Sequence, residues 1–254
     1  MAQTEQKNQN VKKQFEELQS LLERAMALQT SMVLFEWDDE TLAPKGAAEH
    51  TARVIGSLSE QYQEILASMR FKELLDACQK AEKENAGVFD EVQSAILREA
   101  AEEQERLSCI PPEEYRAYAE LTARATGIWT RAREKNDFAS FAPVLKEIIS
   151  YQKKFAAYRA KPGQKLYDVM LDTYEKGFNM EMLDPFFELM KGKIVPLLKE
   201  SAERSKRVLD AFLSADYPEA AQAEAARFLA EYEGFDFDRG VLALSAVYDE
   251  SAQS

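Results

Sequence analysis

The stretch VKKQFEELQSLLERAMALQTSMVLFE, residues 11–36, carries no glycine or proline. Its apolar residues Phe15, Leu18, Leu21, Leu22, Met26, Leu28, Met32, Val33 and Phe35 recur at three- and four-residue steps. That spacing stacks them along one side of a helix. The stretch therefore predicts one long amphipathic helix, ending near Trp37. The same period returns along most of the chain, which makes the expected fold all-α.

Beyond Trp37, DDETLAPKG (38–46) reads as a connection, with Pro44 placed to open the next helix. That helix should carry Val54, Leu58, Tyr62, Ile65 and Met69 on one face, and a third should carry Phe71, Leu74, Leu75 and Cys78. A fourth holds Val88, Val92, Ile96 and Leu107. Pro111 stops it, while Pro112 with Glu113 and Glu114 suits the first turn of a fifth. Asp137 reads as the N-cap of a sixth, Gly177 as the C-cap of a short one, and Gly234 as the stop of the last. Pro196 should kink or split the helix that begins near Met180. The tail FDFDRGVLALSA (235–246) loses the helical period and allows one or two short strands. Roughly nine or ten helices result, in a single helical region over residues 1–254. Trp37, Trp129, Phe138, Phe141 and Tyr174 are expected to be buried.

Composition narrows the partners. A formal charge of −13 opposes binding to nucleic acid and to anionic membrane surfaces. The first residues lack the apolar core of a signal peptide, and no apolar run approaches a membrane span. A cytoplasmic location is expected. Cys78 and Cys109 have no paired spacing and read as free thiols of a reducing compartment.

Chemistry-bearing motifs are scarce. GxSxG, GxGxxG, a P-loop and a Cys–His pair are all missing. A zinc site needs about three converging ligands, and the chain has a single histidine, His50. Asp38, Asp39 and Glu40 would have to fold back onto it, while Glu49 points about 100° away around the helix. His50 is therefore expected not to bind metal. Tyr167, Asp168, Asp172, Tyr174 and Glu175 crowd one short segment, and suit either a polar junction or a site.

Four segments resemble the M32 metallocarboxypeptidases, the carboxypeptidase Taq family. The first runs through Trp37, Asp38, Thr41, Pro44, Gly46, Ala47, Arg53 and Leu58. The second is Phe138, Phe141, Pro143 and Leu145. The third is Tyr167, Asp168, Leu171, Asp172, Tyr174, Glu175 and Gly177, from which Met170 and Lys176 depart. The fourth, GFDFDRGVLALSA (234–246), is similar to the segment before the family's His-Pro-Phe. The resemblance implies a hydrolase that removes C-terminal residues from peptides through a zinc-bound water, with the N-terminal helices as wall and lid of a substrate groove.

It also implies that the family's HExxH zinc motif and its Asp-x-Arg-x-Thr lie beyond the matched segments. Val247, Tyr248 and Asp249, then ESAQS, stand where the family continues. The expectation is a truncated, inactive chain with no catalytic and no metal-binding residues, no specifically bound zinc and unidentified substrate-binding residues. Its apolar residues in 180–198 and 241–244 should be uncovered and should drive self-association or a homodimer. The alternative is a non-catalytic helical module that binds peptides or another protein. A metal enzyme centred on His50 is a third reading, and the weakest.

Overall fold

The computed structural model describes residues 2–44, 46–85, 87–205 and 211–243. Among them the order is α1 (Ala2–Thr41), α2 (Ala48–Leu66), α3 (Met69–Glu84), α4 (Glu91–Ser108), α5 (Pro112–Glu134), α6 (Phe138–Arg159), α7 (Leu166–Tyr174), α8 (Met180–Ser205), a short 3-10 helix (Ala211–Ser214) and α9 (Glu219–Glu233). No strand occurs among the described residues. The chain divides into two compact units, residues 1–166 with 245–254, and residues 167–244.

The core of the first unit follows the predicted stripes in part: Phe15, Leu18, Phe71, Leu74, Leu75, Cys78 and Leu107 are buried, whereas Met26, Val33, Phe35 and Val92 are exposed. Val11, Phe15, Leu18 and Ala25 of α1 meet Phe71, Leu74, Leu75 and Cys78 of α3 and Leu97, Ala100 and Leu107 of α4. Phe89, in the connection before α4, sets its ring 5.1 Å from Phe15. Side-chain caps fix the helix starts. Ser68 Oγ accepts from Phe71 N, Asp90 and Gln93 form a reciprocal capping box, and Asp137 accepts from Ser140 N as anticipated.

α2 departs from expectation in a useful way. The predicted face of Val54, Leu58, Tyr62 and Ile65 is only half-buried. The deepest residues are Thr51, Ala52, Ile55, Gly56, Ser59, Gln63 and Leu66. Small residues let α5 come close: a methyl group at Gly56 would collide with Cγ of Glu120. Arg116 clamps this contact, reaching Glu60 at 2.9 Å and Glu120 at 3.0 Å. On its α1 side, Ser59 Oγ donates to Met32 Sδ. Gln63 lies fully buried, and its Nε2 donates to Leu107 O (3.1 Å) and Ile110 O (2.6 Å). It thereby ties α2 to the carbonyls at the end of α4, adding to the backbone bond that Leu107 O accepts from Ile110 N.

Other expectations are corrected. α1 runs past Trp37 to Thr41, so Asp38, Asp39 and Glu40 lie in its last turns rather than in a loop. α8 is not split at Pro196 but runs through both Pro185 and Pro196. Residues 235–243 hold one turn, at 237–239, and no strand: the alternating Phe235 and Phe237 stack edge to face at 4.9 Å, and Arg227 sits 4.4 Å over Phe237. Asp236 O accepts from Arg239 N and Gly240 N, which reverses the chain. The possible strand residues 244–246 lie outside the described residues. Trp37, Trp129 and Phe141 are half-buried, whereas Phe138 is 67% and Tyr174 80% exposed. Both exposed rings sit at helix ends, Phe138 opening α6 and Tyr174 closing α7, where fewer neighbours cover them.

The α2–α5 contact yields a direct test. Gly56→Ala should destabilise the protein by about 1–3 kcal/mol through overpacking, read from chemical denaturation. Adding Glu120→Ala should recover part of that loss, because the colliding Cγ is removed. A Gly56→Ala protein as stable as the parent would show that α5 yields freely.

Candidate functional site

The segment from Glu36 to Ile55 gathers Asp38, Asp39, Glu40 and His50 around the α1–α2 connection. The end of α1 and the start of α2 enclose a cavity of about 30 Å³, bordered by Glu36, Asp39, Glu40, Thr51 and Thr126 of α5. That is room for a water, not for a peptide. Burial, and secondarily Asp38, hold the Asp39 carboxyl above the ordinary aspartate range. The acids also lie at the negative end of the α1 dipole, where a carboxylate is disfavoured. Thr41 Oγ1 donates to Trp37 O, and Leu42 N and Ala43 N both donate to Asp38 O, closing the helix before Pro44. His50 is exposed in the first turn of α2, beside exposed Glu49.

A larger groove of about 560 Å³ runs between α1 and α2, past Leu21, Arg24, Leu28, Gln61, Glu64 and Ile65. Its two hydroxyls, Ser31 and Ser68, donate to their own backbone at Ala27 O and Ile65 O. Neither is placed beside a histidine or cysteine, so no activated nucleophile results. Cys78 is buried, which pushes its thiol up to about 11, and Cys109 is likewise raised, first by burial. Both are free, and neither is a reactive thiolate.

The polar cluster in residues 167–180 resolves into a junction. Asp168 Oδ1 accepts from Met180 N at 2.9 Å and so caps the start of α8. Asp172 Oδ1 accepts from Gly177 N at 2.8 Å, while Gly177 adopts φ +81°. Asn179 Oδ1 adds a bond from Met182 N. Both aspartates are thus spent on backbone, and Tyr167 and Tyr174 stand exposed. The sequence left this segment open between junction and site; its hydrogen bonds favour the junction.

Among the described residues, no three His, Cys, Asp or Glu side chains converge to hold a divalent metal. With His50 exposed and both cysteines protonated and apart, the residues present do not fit a metal centre. What sequence reasoning missed was Gln63, whose polar side chain on an apolar stripe was the available signal, and the Arg116 clamp.

Comparison with known proteins gives this helical array its family. The model of the carboxypeptidase Taq (M32) metallopeptidases matches residues 17–247. The chain belongs to the M32 family. It is 32% identical to Carboxypeptidase 1 of Bacillus subtilis over 222 residues, covering 87% of this chain and 43% of that protein. Thermostable carboxypeptidase 1 of Thermus thermophilus is 30% identical, with 88% of this chain and 46% of that protein covered. Among solved structures, the BsuCP crystal structure superposes with a TM-score of 0.85 at 30% identity, covering 92% of this chain and 46% of that one. Trypanosoma cruzi metallocarboxypeptidase 1 follows at 0.72 and 27%, covering 92% and 47%. The chain thus spans less than half the length of these M32 relatives.

Asp39 supplies the test of this site's electrostatics. An acid raised in the fold opposes folding once ionised, and that effect is absent below its unfolded value, about 4. Asp39→Asn should therefore raise the melting temperature at pH 7 by about 1–3 °C, with the gain vanishing as the pH falls to about 4. A lower melting temperature at pH 7 would mean that the carboxylate is held by a favourable partner.

Proposed function

We propose that this chain is the helical, non-catalytic part of a metal-dependent carboxypeptidase. In this reading it forms one wall of the groove that receives the C-terminal end of a peptide. The family match over residues 17–247 carries the proposal. In this reading the metal, expected to be zinc, is held by residues other than those described. The exposed aromatic rings of the matched segments, Phe138, Tyr167 and Tyr174, suit contact with peptide or with further protein. No described helix is long and apolar enough to cross a membrane, and the net charge of −13 disfavours a nucleic-acid partner.

The runner-up is a non-catalytic module that binds peptides or other proteins. The groove between α1 and α2 favours it, since its size suits a small ligand or a few residues of peptide. Binding of a peptide to the isolated chain, abolished by Arg24→Ala, would support this second reading.

The first reading is tested by incubating the purified 254-residue chain with zinc and a blocked dipeptide. Without a ligand set there is no Lewis acid and no activated water, so hydrolysis should be undetectable. Turnover that persists after contaminating peptidases are removed would overturn the assignment of a non-catalytic part.

A further inference from the structure

The groove between α1 and α2 sets an apolar lining of Leu21, Leu28 and Ile65 between two opposite charges, Arg24 on one wall and Glu64 on the other. Its remaining polar side chains are already engaged. Ser31 Oγ, Gln61 Nε2 and Ser68 Oγ each donate to a carbonyl three or four residues back. Arg24 and Glu64 are exposed and pair with no charge among the described residues. Arg70, Arg106, Arg116 and Lys154 of the same unit each hold a carboxylate. The sequence explains the difference. Ser20, Leu21, Ala27 and Leu28 flank Arg24 at helical spacing, and the one charge so placed beside Glu64 is another acid, Glu60, already held by Arg116.

The two charges are also spaced along the groove. α1 and α2 run antiparallel, since residues 42–47 reverse the chain and Ser59 Oγ reaches Met32 Sδ at 3.0 Å. Counted from that level, Glu64 stands beside Ala27, and Arg24 lies three residues farther along α1, about 4.5 Å. Side chains lean toward the N-terminus of their own helix, so on antiparallel helices these two lean apart. Their heads thus lie about 10 Å from each other, the span of about three extended residues.

We infer that this groove binds a short peptide of about three residues with both ends free, its carboxylate on Arg24 and its ammonium on Glu64. The inference rests on the second reading above and names its ligand. A guanidinium receives a carboxylate through two parallel bonds, and apolar side chains of the peptide lie on Leu21, Leu28 and Ile65. With no other polar group free, the site reads chain ends and length rather than particular side chains. A free amino acid carries both charges on one carbon and reaches only one wall. An internal segment of a protein carries neither end charge.

The test titrates trileucine, its C-terminal amide and its N-acetyl form into the purified 254-residue chain. Each blocked form should bind at least tenfold more weakly, as expected for one lost bond to a charged group. Arg24→Ala should weaken free trileucine as much and bind the free and amidated forms alike. Glu64→Gln should bind the free and acetylated forms alike. Both variants should keep the far-UV circular dichroism of the parent. The inference is overturned if trileucine does not bind, if leucine binds as tightly, or if the blocked forms bind equally well. Binding that neither substitution weakens overturns it too, and leaves the second reading standing with its ligand elsewhere. Release of leucine during the titration would overturn the non-catalytic reading and the inference with it.

Discussion

The first unit depends on how closely α2 can approach α5. A helix usually buries large apolar residues, but α2 buries Ala52, Gly56, Ser59 and Gln63 on its deepest side. Gly56 removes the bulk that would hold the helices apart, and Arg116 bridges Glu60 and Glu120 beside the contact. These ion pairs are partly exposed and contribute little by themselves. Their value is geometric, since they hold Glu120 over the glycine. Packed also against α1, α2 becomes the centre of the layer, and the buried Gln63 ties it to the end of α4.

Much of this was legible in the sequence. The first half of the α1 stripe, Pro112 at a helix start, Asp137 as a cap and Gly234 as a stop all act through local chemistry, which periodicity and turn residues report, whereas Gly177 lies three residues past the end of α7 and is not its cap. The α2 face was not legible, because its stabilisation comes from tertiary closeness and a polar side chain that meets carbonyls over forty residues away. The end of α1 was misplaced for a related reason: three acids look like a loop, but Thr41 and the amides after it close the helix around them. Phe235 and Phe237 mimic a strand period while stacking on each other at a turn.

The family was legible because its signature is spread over segments whose order survives in one chain. The candidate site was not, and the structure explains why. Asp168 and Asp172 are engaged in holding amides, and their neighbours Tyr167 and Tyr174 point outward. Residues that mark a lineage need not be residues that react. Here they organise a junction and present aromatic surface, and neither role requires a metal.

Apart from α2 on α5, most contacts of the first unit join helices close in sequence, with α1 on α2 and α3, α3 on α4, and α5 on α6. Local contacts of this kind form quickly, since little loop entropy is lost before they close. Domains also fold as units while the chain is still being made, N-terminal first. The array through α6 can therefore be complete on the ribosome before α8 emerges. α8 then enters the cell with its phenylalanines and leucines unshielded, and its first encounter is with whatever binds nascent apolar helices. Chaperones and proteases that recognise exposed apolar helices therefore have α8, and not the buried core, as their point of contact.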